Sequence, residues 1–161
     1  MDKEVYKQVF DCHFDALRNY LFYRCGDPEL ATDIAQETFL KLWEKRLDID
    51  PVNIKGLLYK MASDIFVSWY RRQQTALKFA NQNQTEENER SPQEELEYNE
   101  FKESYENAIN ALPENQRVVY LMNRYDEMTY KEIAEALKIS VKAVEKRMTK
   151  ALGTLKQILK L

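Results

Sequence analysis

The stretch TYKEIAEALKISVKAVEKRMTKALGTL, residues 129–155, decides how the chain is read. Thr129 stands three residues before Glu132, the spacing of a capping box: the hydroxyl accepts from the Glu132 amide while the carboxylate accepts from the Thr129 amide. Ile133, Ala134 and Leu137 then fill the inner face of a short helix. Lys138-Ile139-Ser140 makes a turn, and Ser140 caps the helix that follows. On that last helix Val144, Met148, Ala151 and Leu155 share one face, and Lys142, Lys146, Thr149, Lys150 and Gly153 the opposite one. A capped short helix, a three-residue turn and a longer basic helix read as a helix-turn-helix. In a major groove lysines reach phosphates and base edges, while Thr149 and Gly153 avoid clashes. A solvated lysine face is also common on amphipathic helices, so the pattern alone leaves both readings open.

Upstream, the chain reads as helix throughout. Tyr6, Phe10, Phe14, Leu17 and Leu21 recur at three- and four-residue steps and predict a helix over about 3–24, ended by Gly26. Asp27 caps a second helix with Pro28 at its first position, where a missing N–H costs nothing. It carries Leu30, Ile34, Ala35, Phe39, Leu42 and Trp43. Beyond Pro51 a third helix runs through Leu57, Leu58, Met61, Ile65, Trp69 and Tyr70 to Arg72. From Gln73 to Glu100 there is little to bury, which predicts a flexible tether between two helical domains. Near Phe101 the second domain begins, and Pro113 separates two of its helices. Domains are therefore expected over 1–72 and 101–161, joined by an acidic linker over 73–100, in an all-α fold.

The net charge of −3 is unevenly spread. Residues 1–50 carry a net −4, 51–78 a net +4, 79–101 a net −6, 102–128 a net −2 and 129–161 a net +5. Two basic segments flanking an acidic one suit two phosphate-facing patches, although charge blocks are often plain solvated faces. No apolar run approaches the ~20 residues that span a bilayer, and the first residues lack the pattern of a signal peptide. Cys12 and Cys25 make no metal-ligand pattern with His13, and read as small core residues kept reduced in a cytoplasm.

Two motifs resemble one known family. Leu112-Pro-Glu-Asn-Gln-Arg117, Thr129-Tyr-Lys-Glu-Ile-Ala-Glu-Ala-Leu137, Ile139-Ser140, Val144 and Ala151-Leu152 resemble region 4 of the sigma-70 family. Asp33-Ile-Ala-Gln-Glu-Thr-Phe-Leu-Lys-Leu-Trp43 resembles region 2 of the same family. Nothing resembles the larger members' other domains, so the similarity is to the extracytoplasmic-function (ECF) subfamily. The resemblance implies a transcription initiation factor, not an enzyme, with no cofactor or metal. Its partners would be promoter DNA and core RNA polymerase, through the β′ clamp helices and the β flap. An anti-sigma factor, which commonly holds family members, is implied only by that kinship.

By the same resemblance, Asp33, Gln36, Glu37 and Phe39 would meet polymerase. Tyr59, Lys60, Asp64, Arg71 and Arg72 would serve the −10 element, and a basic strip with aromatics suits an unpaired strand. Aromatics at that spacing are more often core, and Trp69 is expected to be largely buried. Lys142, Glu145, Lys146, Thr149 and Lys150 would read the −35 element, with Arg147 near a phosphate. A carboxylate such as Glu145 accepts from a cytosine amino group but repels the backbone. The chain departs from the family with Leu57 where an aromatic is usual, Asp64 where Asn is usual, and Lys138 at a turn position where Gly is usual. Competing classes are a regulator that binds duplex DNA alone, against which the Asp33–Trp43 motif argues, and an enzyme. For the latter the sequence offers no Gly-rich phosphate loop and no histidine placed with a nucleophile.

Overall fold

The computed structural model describes residues 1–45, 53–80 and 96–160. Among them seven helices and no strand occur: α1 (Lys3–Cys25), α2 (Pro28–Lys45), α3 (Ile54–Ala80), α4 (Leu96–Ala111), α5 (Glu114–Arg124), α6 (Tyr130–Leu137) and α7 (Val141–Leu159). Pro51 and most of the expected linker lie outside the described residues.

The first half is a bundle of α1, α2 and α3. Gly26 ends α1 at φ 72°, the left-handed conformation that glycine adopts without steric cost. One oxygen of Asp27 then accepts from the amides of Glu29 (3.0 Å) and Leu30 (3.2 Å), capping α2 as the sequence predicts. The core gathers Leu17, Leu21, Phe39, Leu42 and Leu58, all buried. Phe10 meets Phe39 edge-on at 5.0 Å and Tyr6 at 6.3 Å, so the aromatic stripe of α1 closes over a single ring of α2. Thr38, fully buried, donates its hydroxyl to the Ile34 carbonyl at 2.7 Å.

In the second half α4 stops at Ala111 and α5 starts after Pro113, the break that proline imposes. Thr129 accepts from the Glu132 amide at 3.1 Å and Glu132 accepts from the Thr129 amide, completing the predicted box. Ser140 accepts from the Ala143 amide at 3.0 Å and starts α7. Between them Lys138 sits at φ 56° and ψ 45°, the left-handed region, at a strain of about 1–2 kcal/mol for a side chain with a Cβ.

Two expectations need correction. Helix α3 continues eight residues beyond Arg72 to Ala80. Gln73, Gln74, Ala76, Leu77 and Lys78 are good helix formers with no Gly or Pro among them, so local propensity favours the continued helix. Cys12 is exposed and Cys25 half-buried, so Cys12 is not a core residue. It stands on the polar side of α1 with Asp11 and Asp15.

The halves touch. Arg117 of α5 donates to the carbonyls of Tyr23 (2.7 Å) and Arg24 (2.8 Å), among the last of α1, which no intrahelical amide can satisfy. It also donates to Leu112 at 3.2 Å. Thr129→Ala should remove the box and lower stability by about 1 kcal/mol. Urea unfolding of the purified chain checks this, and an unchanged midpoint would mean that α6 is held by tertiary packing alone.

Candidate nucleic-acid interface

Three exposed faces arise from helical spacing. On α7, Lys142, Glu145, Lys146, Thr149 and Lys150 are all exposed, and Val144, Met148, Ala151 and Leu155 are buried on the reverse side. At 3.6 residues per turn these positions, with exposed Gly153, form a single stripe along the helix. The Thr149 hydroxyl donates to the Glu145 carbonyl at 2.9 Å, so its oxygen is left as an acceptor. Arg147 lies off this stripe. It is half-buried and lines a cleft between the halves with Tyr20, Arg24, Ser63 and Glu114.

On α3, Lys60, Asp64 and Arg71 are exposed at four- and seven-residue intervals and line up over roughly 16 Å. Arg72 is exposed beside them, and Tyr70 is 50% exposed and stacks on Phe66 at 6.3 Å. Most of the Trp69 surface is covered, as expected. Tyr59 is not part of this surface. It is 4% exposed, tilted against Tyr20 at 4.9 Å, and its burial pushes the phenol well above its ordinary pKa. In this arrangement it cannot stack a base.

On α2, Asp33, Gln36 and Glu37 are exposed on one face, with Lys41 paired to Glu37 at 3.4 Å. Phe39 is 1% exposed and belongs to the core, so it supports this face from below rather than touching a partner. The apolar contact on the face is Leu40, 55% exposed, four residues after Gln36 and three after Glu37. Sequence reading passed over it, though the same spacing that groups Asp33, Gln36 and Glu37 places Leu40 among them.

Polar contacts between the halves were also not foreseen. Asp126, just after α5, accepts from the Tyr23 hydroxyl at 2.7 Å and from the Asn19 amide at 3.3 Å. Burial raises the Asp126 pKa although both hydrogen bonds lower it, the mark of a carboxylate drawn out of water. Arg24 pairs with Glu114, donates to Ser63 at 2.9 Å and lies over the Phe66 ring at 4.4 Å.

Comparisons with known proteins identify the family. The family description "Sigma-70 region 2" matches residues 9–76, and "Sigma-70, region 4" matches residues 102–155. RNA polymerase sigma factor YlaC of Bacillus subtilis is 28% identical over 160 residues, covering 96% of this chain and 90% of its own. ECF RNA polymerase sigma factor SigM of the same organism is 23% identical, over 83% of this chain and 82% of its own. Ferric citrate uptake sigma factor FecI of Escherichia coli is 26% identical, over 91% and 86%. Among solved structures, the sigma factor RpoE of Bartonella quintana, crystallised with the anti-sigma factor NepR, shares the fold with a TM-score of 0.64. It is 19% identical and the match covers 96% of both chains. With region 2 matching the first three helices and region 4 the helices that end in the helix-turn-helix, the chain belongs to the sigma-70 family, as an ECF-type RNA polymerase sigma factor that directs promoter-specific transcription initiation.

Proposed function

We propose that the three exposed faces divide the work of initiation among themselves. The α7 stripe of Lys142, Glu145, Lys146, Thr149 and Lys150 enters the major groove at the −35 element. Lys60, Asp64, Arg71 and Arg72 on α3 follow the opened strand at the −10 element. Asp33, Gln36, Glu37 and Leu40 on α2 dock on the β′ clamp helices of core polymerase, and the second half approaches the β flap. The observation that carries this reading is α7: its entire candidate set except Arg147 is exposed on the side opposite a buried apolar stripe. Such a helix presents charge and small side chains outward while its packing fixes their direction.

The protein acts in this reading as a binding factor in the cytoplasm, and the chemistry of RNA synthesis belongs to polymerase. No helix among the described residues is long and apolar enough to cross a membrane. The Bartonella relative, seen with an anti-sigma factor, supports a similar regulatory partner here.

Lys150→Ala and Glu145→Ala should differ in holoenzyme binding to a set of −35 variants. Loss of a phosphate-bound lysine reduces the salt slope by roughly one unit for all sequences. Loss of a base-reading carboxylate relaxes preference at one position by about 1–3 kcal/mol. Equal, sequence-independent losses would mean that the face is only solvated.

For the polymerase face, Gln36→Arg with Glu37→Arg should weaken co-elution with core polymerase, and Leu40→Asp alone should do so as well. Full binding by both folded variants would remove the assignment. On α3, Lys60→Ala with Arg71→Ala should slow promoter opening in run-off transcription while leaving polymerase binding intact. Unchanged opening would remove the −10 assignment.

A further inference from the structure

Arg24 sets the direction of two hydroxyl protons. Its guanidinium donates to the hydroxyl oxygens of Ser63 on α3 (2.9 Å) and Tyr20 on α1 (3.2 Å). A hydroxyl that accepts from a cation still has its own proton to give, and neither proton meets an acceptor among the described residues. Tyr59 adds a third hydroxyl, more than nine-tenths buried and without a hydrogen-bond partner among the described residues. Burial, and then the nearby charge of Asp126, hold the Tyr59 phenol above its ordinary pKa, so it stays neutral and keeps a proton to donate. These three side chains line one cavity of about 180 Å³ between α3 and the turn at Lys138.

Two ammonium groups stand at the rim of this cavity. Lys60 is exposed and has no ion-pair partner among the described residues. Lys138 reaches across from the strained turn, and its Cε lies 3.2 Å from where a Cβ on Gly56 would stand. Against these donors the lining offers one carboxylate, Asp64, which is exposed and bonded to none of the hydroxyls. A buried donor without an acceptor destabilises the fold that buries it. Three of them in one cavity call for a ligand made of acceptors. Size narrows the choice: an apolar cavity of ~150 Å³ takes a benzene-sized molecule. The space here therefore excludes a nucleotide and admits a small ion.

We propose that the cavity bounded by Tyr20, Tyr59, Ser63, Lys60 and Lys138 binds a small tetrahedral oxyanion of the phosphate class, which joins α3 to the turn of the helix-turn-helix. The ion accepts from the three hydroxyls, and the two ammoniums offset its charge. Hydrogen bonds to a charged acceptor are stronger than those between neutral groups. Asp64 at the rim and Asp126 behind Tyr59 oppose the charge and hold the affinity to the millimolar range. The site does not depend on the promoter assignments of α3 and α7.

Equilibrium dialysis of the full free chain against labelled inorganic phosphate, at constant ionic strength, tests the site. The wild type should bind one phosphate per chain, and sulfate should displace it where chloride does not. Tyr59→Phe keeps the ring and the net charge, and should weaken binding about tenfold, the loss expected for one hydrogen bond to a charged group. Lys138→Met keeps the stem without the cation and should weaken it too. Asp64→Asn removes an opposing charge and should tighten binding severalfold, a gain that misfolding does not produce. In phosphate-free buffer Tyr59→Phe should unfold at no lower urea concentration than the wild type, because its hydroxyl bonds to nothing there. No bound phosphate in the wild type overturns the site and leaves the cavity to water. Equal binding by the wild type and Tyr59→Phe puts the ion elsewhere and overturns it as well. Dimethyl phosphate, the smallest phosphodiester, should bind about tenfold more weakly than phosphate, since alkylation takes away charge and acceptors. Equal binding of the diester would assign the cavity to a nucleic-acid backbone and overturn the free ion.

Discussion

Much of this molecule depends on one guanidinium meeting the end of one helix. The last carbonyls of α1 have no amide ahead of them, because Gly26 turns the chain away at φ 72°. Arg117 supplies donors from another part of the sequence, and its third bond reaches Leu112, where α4 has just ended. A planar, permanently charged fork can hold three carbonyls at once, which a lysine cannot match. Hydrogen bonds to charged groups are typically worth about 1.5–3 kcal/mol each, comparable to a sizeable share of a small domain's stability. Arg117 therefore ties the end of α1, the end of α4 and the start of α5 into one junction.

That junction joins two helical units whose apolar stripes run into one cluster of buried residues. Each bundle buries its own apolar stripe: Leu17, Leu21, Phe39 and Leu58 in the first, Met122, Ile133, Val144 and Leu155 in the second. The polar contacts that join them gather at the end of α1, where Arg117, Glu114 and Asp126 meet Asn19, Tyr23 and Arg24. Packing thus fixes the direction of α7 and α2 side chains, while hydrogen bonds and apolar contacts together join the halves.

Periodicity made the fold legible. The steps of Tyr6 to Leu21, the caps at Asp27, Thr129 and Ser140, and the stripe from Val144 to Leu155 all depend on neighbours within a few residues. The α7 set was legible for the same reason, because one buried stripe determines which residues face outward. Sequence reading did less well where burial depends on partners far along the chain. Tyr59 looked like a stacking platform, yet Tyr20 and the second half enclose it. Phe39 was grouped with the polar residues of its motif, while the helical wheel gives that place to Leu40. Arg147 sits beside the recognition stripe but turns toward Arg24 and Glu114. Arg117 and Asp126 carried no local signal at all, since their partners lie about a hundred residues upstream.

The turn at Lys138 joins local strain to this distant packing. A left-handed residue between α6 and α7 would ordinarily be glycine, and here it carries a long side chain. The glycine stands instead across the junction at position 56, on the side of α3 that Lys138 approaches. Its missing Cβ leaves room for the methylene stem of the lysine, and the charged end remains free to reach water, as such side chains commonly do. Strain in the turn is thus accompanied by a contact between α6 and α3 that a glycine at 138 could not make. The same exchange places a cation beside Lys60 and Asp64, at the edge of the cationic stripe on α3. A departure from the family pattern that looks like a local defect in the turn becomes, in the folded chain, part of the surface between its two halves.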